Sequence, residues 1–259
     1  MTQGGRGTVN EVARWLAGSR RITVFTGAGI NAGAAPDPRG PNGEWARDRN
    51  SARLYTLKAY LSDPEVRREA WRNRRRHAAW EVAPNRAHQA LVELENAGRL
   101  RAIITQNIDG LHQRAGNSDE LVIELHGSLY EVECTSCGSR FAMADVLDRV
   151  DDGEEDPPCL ACGGILKSAT ISFGQPLVPA VLDSARRAVA EADLFIVVGS
   201  SLSLQPSSAL MRGATDAGAR IVIVNPTPTA YDHLAAAVLR GPISVVLPEL
   251  VAEVAPLGA

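Results

Sequence analysis

Six short apolar runs mark the chain: 22-ITVFT-26, 101-RAIIT-105, 121-LVIEL-125, 194-LFIVV-198, 220-RIVIV-224 and 243-ISVVL-247. Each is rich in β-branched residues and apolar on both faces, the pattern of a strand covered by helices on either side. Helical periodicity fills intervals at 87-AHQALVELENAG-98, 180-AVLDSARRAVAEA-192 and 207-SSALMRGATDAG-218, with Gly98 and Gly218 where helix-ending glycines fall. Strands alternating with helices predict an α/β fold, a Rossmann-like parallel sheet with helices on both faces.

Two stretches interrupt the alternation. After Thr26 no strand pattern appears until Arg101, and the gap holds a charged helical segment opened by 62-SDPE-65, with Asp63 as N-cap and Pro64 in the first turn. The second interruption holds four cysteines and the acidic linker 151-DDGEEDPP-158. The expected division is a nucleotide-binding domain from 8–40, 84–130 and 172–255, a helical insertion at 41–83 and a zinc-binding module at 131–171.

Composition narrows the function classes. A chain of 259 residues supports one or two domains, and a formal charge of -3 gives no electrostatic reason to expect nucleic acid or an acidic membrane as partner. No apolar run approaches the roughly 18 residues a membrane span needs. Residues 1–20 show Arg6, Arg14 and Arg20 but no apolar stretch, so no secretory leader and a cytoplasmic location are expected. In a reducing compartment, Cys134-x-x-Cys137 and Cys159-x-x-Cys162 point to a zinc site rather than to disulfides.

Candidate chemistry gathers at the carboxyl ends of the runs, where open parallel sheets bind ligands. The first delivers Gly27, Ala28 and Gly29. The second delivers Gln106, Asn107 and Asp109, the third His126-Gly127, the fourth Gly199-Ser200-Ser201 and the fifth Asn225. Gly27-x-Gly29-x-x-Ala32 fits a loose dinucleotide fingerprint in which a helix after the turn aims backbone N–H groups at a diphosphate. Among the histidines, His126 is best placed for proton transfer, and His112 could support the rim from behind. His77 and His88 fit structural hydrogen bonds, and His233 gives no signal. The basic run 67-RREAWRNRRRH-77 reads as a solvated helix face, and Trp45, Trp71 and Trp80 as packing for the insertion.

These residues resemble the sirtuins, NAD-dependent protein-lysine deacylases, from about Val12 to about Leu250. The likeness rests on Gly27-Ala28-Gly29, Pro84-Asn85-x-Ala87-His88, 106-QNIDGLH-112, His126-Gly127, the two cysteine pairs, Phe173-Gly174, Gly199-Ser200-Ser201-Leu202 and Asn225. The resemblance implies that NAD is held by Gly27, Ala28, Gly29, Asp37, Arg39, Gln106, Asn107, Ile108, Asp109, Gly199, Ser200, Ser201 and Asn225. It implies that Asn107 and Asp109 orient the nicotinamide ribose and carboxamide, and that His126 is the general base. The acyl-lysine oxygen attacks the anomeric carbon, nicotinamide leaves, and free lysine and O-acyl-ADP-ribose are the further products. An acylated peptide would add as a strand beside Ile171, Phe173, Gly174 and Leu202. One structural zinc would be closed by Cys134, Cys137, Cys159 and Cys162.

The departures from the family pattern matter as well. Asn31 stands where sirtuins have serine, the segment after it is one residue shorter, and Pro38 replaces a phenylalanine that covers the nicotinamide end of the pocket. Gln175 replaces an acidic residue, and Lys167-Ser168 an Arg-Pro pair. Trp71-x-x-Arg74 stands where some bacterial members use Tyr-x-x-Arg to grip acidic acyl groups. Two other readings stay open: an NAD glycohydrolase or ADP-ribosyltransferase on the same fold, and an inactive NAD-binding module.

Overall fold

A computed structural model describes residues 7–31, 51–204, 208–252 and 254. Its strands, in chain order, are β1 (Ile22–Thr26), β2 (Leu100–Thr105), β3 (Val122–Glu124), β4 (Gly127–Cys134), β5 (Arg140–Ala142), β6 (Leu166–Thr170), β7 (Leu194–Val198), β8 (Arg220–Val224) and β9 (Ala237–Leu239). The helices are α1 (Val9–Gly18), α2 (Ser51–Leu54), α3 (Leu57–Ser62), α4 (Pro64–Arg75), α5 (Arg86–Asn96), α6 (Leu111–Ala115), α7 (Met143–Asp151), α8 (Pro179–Ala190), α9 (Ala209–Asp216) and α10 (Ile243–Val251).

Six strands form one parallel sheet in the order β3-β2-β1-β7-β8-β9. The chain steps outward from β1 to β3, returns to place β7 beside β1, and then steps outward the other way. Strand order therefore reverses between β1 and β7, which opens a crevice at their carboxyl ends. Alternate side chains feed two cores, as the strand period requires. Val24, Ile103, Ile196 and Val222 face α1, α5 and α10, whereas Phe25, Ile104, Val197 and Ile223 face α8 and α9. No helix among the described residues is long and apolar enough to cross a membrane.

One expected strand is a helix. The run 243–247 opens α10, capped by Pro242, and its buried positions are Ile243, Val246, Leu247, Leu250 and Val251, while Val245 is exposed. That spacing is helical once the run is traced past Leu247; a five-residue apolar window cannot separate the two states. The sixth strand is instead β9, three residues inside the alanine-rich stretch before Arg240.

The two interruptions build one satellite. The antiparallel sheet β5-β4-β6 and α7 share a core with α4: Trp71 packs with Val132, Met143, Val146 and Leu166. Asp63 caps α4 by accepting from Glu65 N, and Pro64 occupies the first turn. The basic run is only partly a solvated face. Arg67 is buried, its Nε donating to both Asp156 oxygens at 3.0 and 2.9 Å and its NH1 to Tyr60 O, so it pins the acidic linker to the helix. Tyr60 reaches across as well, donating to Leu166 O at 2.8 Å. Trp80 lies edge-on to Tyr130 of β4. Trp45 lies outside the described residues.

Candidate active site

Two glycine turns meet at the crevice. Gly27 N donates to Val198 O and Gly29 N to Gly199 O, which draws the end of β1 against the end of β7. A Cβ on Gly29 would lie 2.7 Å from the Gly199 backbone, and Gly199 has φ +64 with its own Cβ position 2.5 Å from Ile30 N. Only glycine fits such an approach. Two of the turn's amide groups are therefore spent within the protein. The turn leads into a four-residue 3-10 segment, Ala28–Asn31. Ala32, Asp37, Pro38 and Arg39 lie outside the described residues.

The remaining rim residues form a connected polar layer. Gln106 N is tied to Thr26 O at 2.9 Å, and Ser200 Oγ donates to Gln106 Oε1 at 2.7 Å. Asn225 Nδ2 donates to Ser200 O, and Asn107 Nδ2 to Gly27 O at 3.3 Å. Asp109 is buried; its Oδ1 accepts from Leu111 N and its Oδ2 from Asn31 Nδ2 at 2.8 Å. Ile108 is half-buried, and its carbonyl accepts from Leu129 N of β4. Ser201 is exposed and bonded to Ser203. The layer thus brings Gly27, Gln106, Asn107, Asp109, Gly199, Ser200 and Asn225 to one crevice.

His126 stands at the end of β3 with its ring Nδ1 2.9 Å from Gln106 O. A carbonyl oxygen can only accept, so Nδ1 carries the hydrogen and Nε2 is the basic nitrogen of the neutral ring. The next residue, Gly127, has φ +72, and a Cβ there would lie 1.9 Å from Ala169 O. That contact joins β4 to β6 directly beside the imidazole. The other rim histidines are structural. His88 closes a capping box with Asn85, and burial pushes it down to about 4. His112 bonds Thr26 Oγ1 at 2.9 Å and is pushed to about 3 by burial and then by His88. His77 accepts from Ala79 N, and burial with the nearby Arg74 charge takes it to about 4.

The substrate-side residues lie along the segment after β6. Ile171 N donates to His126 O, which fixes this segment to the histidine. Phe173 is exposed and bridges to Thr56, with Phe173 N donating to Tyr55 O and Leu57 N to Phe173 O. Gly174 has φ +82, and Leu202, buried, has φ +56, a strained value for a side chain of its size. Sequence reasoning does not single out Thr26 or Asn85 as site residues. Thr26 is a hydroxyl closing an apolar run, and Asn85, directly before a helical pattern, also donates to Ile30 O at 2.8 Å.

The four cysteines form a cluster with ligand atoms within 4.8 Å of one another. Cys134 and Cys162 sulfurs are 3.5 Å apart, Cys137 and Cys159 3.8 Å. A disulfide needs about 2 Å, whereas a tetrahedral zinc with Zn–S near 2.3 Å needs sulfurs about 3.8 Å apart. Hydrogen bonding with Ser139 draws the Cys137 thiol down to about 6. The donor set fits a structural zinc with no open position.

The Sir2 family model matches residues 27–206. The chain belongs to the Sir2 family. Its relatives include a Streptomyces coelicolor "NAD-dependent protein deacetylase 2", 47% identical with 91% of this chain and 98% of that protein covered. Another is a Pyrobaculum aerophilum "NAD-dependent protein deacylase 2", 41% identical with 94% of each covered. A Sir2 homologue solved with NAD superposes with TM-score 0.83 at 35% identity, over 97% of this chain and 96% of that one.

Within this Sir2 frame the departures acquire places. Asn31 is the amide that bonds Asp109. Lys167 is buried, donates to Ser168 O and Thr170 O, and is pushed down to about 8 by burial. Gln175 Oε1 accepts from Ser172 N. Trp71 sits in the satellite core at 2% exposure, so it cannot line a substrate channel.

Proposed function

We propose that this Sir2 chain is an NAD-dependent protein-lysine deacylase, with acylated-lysine proteins as substrates and no nucleic acid partner. The observation that carries the reading is the fixed tautomer of His126, which points a basic Nε2 from the strand end that adjoins the crevice. In this reading residues 8–40, 84–130 and 172–255 are the nucleotide-binding body. Residues 41–83 are the helical insertion and 131–171 the zinc module. NAD, as co-substrate, supplies the electrophilic anomeric carbon. Its carboxamide and nicotinamide ribose fall to Asp109, Asn107 and Ile108. Ala28, Ser200, Ser201 and Gln106 serve its diphosphate side, together with the Gly27, Gly29 and Gly199 turns, and Asn225 its adenosine ribose. Asp37 and Arg39 belong to the same site by family resemblance.

The rim residues divide the chemistry between them. Asn107 and Asp109 hold the leaving group and its ribose while the acyl oxygen attacks. His126 Nε2 then takes a proton from a ribose hydroxyl, and the ring passes no charge to Gln106, whose carbonyl keeps Nδ1–H in place. The peptide backbone lies along Ile171, Phe173 and Gly174, with Leu202 on its other side, so recognition is weakly sequence-selective. Zinc, held by the four thiolates, fixes the satellite and takes no part in the reaction. Four cysteines spaced for metal rather than for disulfides favour a cytoplasmic setting.

The test is nicotinamide release from NAD by purified protein with and without an acetyl-lysine peptide. Peptide-dependent release whose steady-state rate falls at least ~100-fold in His126→Ala, because the intermediate left by the first nicotinamide cannot go forward without the base, supports deacylation. Release that ignores the peptide makes the protein an NAD hydrolase instead.

A further inference from the structure

Asn31 is 4% exposed and makes one side-chain hydrogen bond among the described residues, Nδ2 to Asp109 Oδ2 at 2.8 Å. Its Oδ1 is buried with no partner among the described residues. An amide whose oxygen is left unpaired is not placed there for packing, since burying it so is costly. Its one satisfied group addresses a carboxylate. The other oxygen of that carboxylate accepts from Leu111 N, so Asp109 meets two N–H donors before any ligand arrives.

The chemistry of this contact is specific. Asn31 ends in a primary carboxamide, the functional group that nicotinamide carries on its ring. Under the proposed function Asp109 receives the nicotinamide carboxamide, and the role assigned to Asn31 rests on that reading. We infer that Asn31 is a built-in competitor for Asp109, which sets how strongly free nicotinamide re-enters the site.

Re-entry is the reverse of the first chemical step. The ring nitrogen of nicotinamide donates its lone pair to the anomeric carbon of the intermediate. The bond from that carbon to the acyl oxygen breaks, and its electron pair returns to the amide. NAD and acyl-lysine are regenerated, so nicotinamide inhibits by exchange. A carboxamide that competes with Asn31 for that oxygen binds less tightly, by the worth of one charge-assisted hydrogen bond, roughly tenfold in affinity. NAD bears the same factor but keeps its diphosphate and adenosine contacts, and it still fills the site. Free nicotinamide has no such reserve. The enzyme is therefore resistant to its own product.

The experiment compares the full chain with Asn31→Ser in peptide-dependent deacylation, titrating nicotinamide and measuring incorporation of labelled nicotinamide into NAD. Expected in the variant is a roughly tenfold fall in the nicotinamide concentration for half-inhibition, with KM for NAD falling in parallel and KM for peptide unmoved. A purely structural role cannot yield tighter binding, because loosening the turn raises these constants. If serine at this position does not fold, Asn31→Ala removes the same donor and gives the same readout. A variant that deacylates but shows equal or weaker nicotinamide inhibition overturns the inference. An unmutated protein that never releases nicotinamide in a peptide-dependent manner overturns the functional reading itself, and this inference falls with it.

Discussion

The crevice and the satellite hold polar groups in place by opposite means. Around the crevice, many weak ties act together: Thr26, Gln106, Ser200, Asn107 and Asn225 are linked through hydrogen bonds laid over two apolar cores. In the satellite, a small core of seven buried residues includes two of the thiols, Cys134 and Cys159, that converge on one point. The first arrangement degrades by increments when a residue is lost. The second fails at once when its ion is lost. The two regions are joined at His126-Gly127, so failure of the second reaches the first.

The largest effect should come from the metal. Analysis should find about one zinc per chain, and chelation or Cys159→Ser should unfold the satellite, because structural zinc contributes on the order of 10 kcal/mol to such modules. Circular dichroism should keep most of its signal from the parallel-sheet body while activity disappears. Cysteines found oxidised and metal-free would reverse the assignment. Next is the joint. Gly127→Ala forces a side chain into φ +72 and against Ala169 O, and thermal unfolding should register about 4 kcal/mol or more. Activity should fall with zinc still bound, which separates the joint from the ion.

A smaller effect belongs to the clamp between α4 and the acidic linker. Asp156→Ala leaves the buried Arg67 guanidinium without its carboxylate, a loss of about 3 kcal/mol in chemical denaturation. Added salt should restore little of it, because the pair is largely shielded from solvent. A last effect is graded with pH and builds up over several pH units. His88 and His112 have folded values near 4 and 3 against an ordinary 6.5, so the unfolded chain binds more protons between those limits. Stability is then full above pH 6.5 and declines as pH falls toward 4, by about 1.4 kcal/mol per pH unit for each histidine that takes up its proton only on unfolding. Denaturation curves that are flat from pH 7 to 4.5 would show that burial does not hold these rings neutral.

Much of this is legible in the sequence where one property decides the outcome. Strands such as 194–198 are unbroken β-branched runs, and the cysteine spacing already describes a four-thiol site. The helix at Ile243–Val251 is misread as a strand because its first five residues are apolar whichever state they adopt. Three-residue β9 carries too little pattern to be seen at all. In the site, the polar strand ends can be read one by one, but their partners cannot. Asn31 and Asp109 are far apart in sequence and touch only because β1 and β2 are neighbours. Trp71 belongs to the satellite core through contacts with a module that starts long after it in the chain. The glycine turn is recognisable, yet its amides bind Val198 and Gly199, which spacing alone does not reveal.

The position of β1 also bears on how the protein is made. Ile22 pairs with Leu100 on one side and with Leu194 on the other. A ribosome working at about 5–20 residues per second needs roughly 9–35 s to travel from the first of these strands to β7. Throughout that time one long apolar edge of the nascent sheet has no permanent neighbour. A chaperone that shields apolar strand edges would act in that interval.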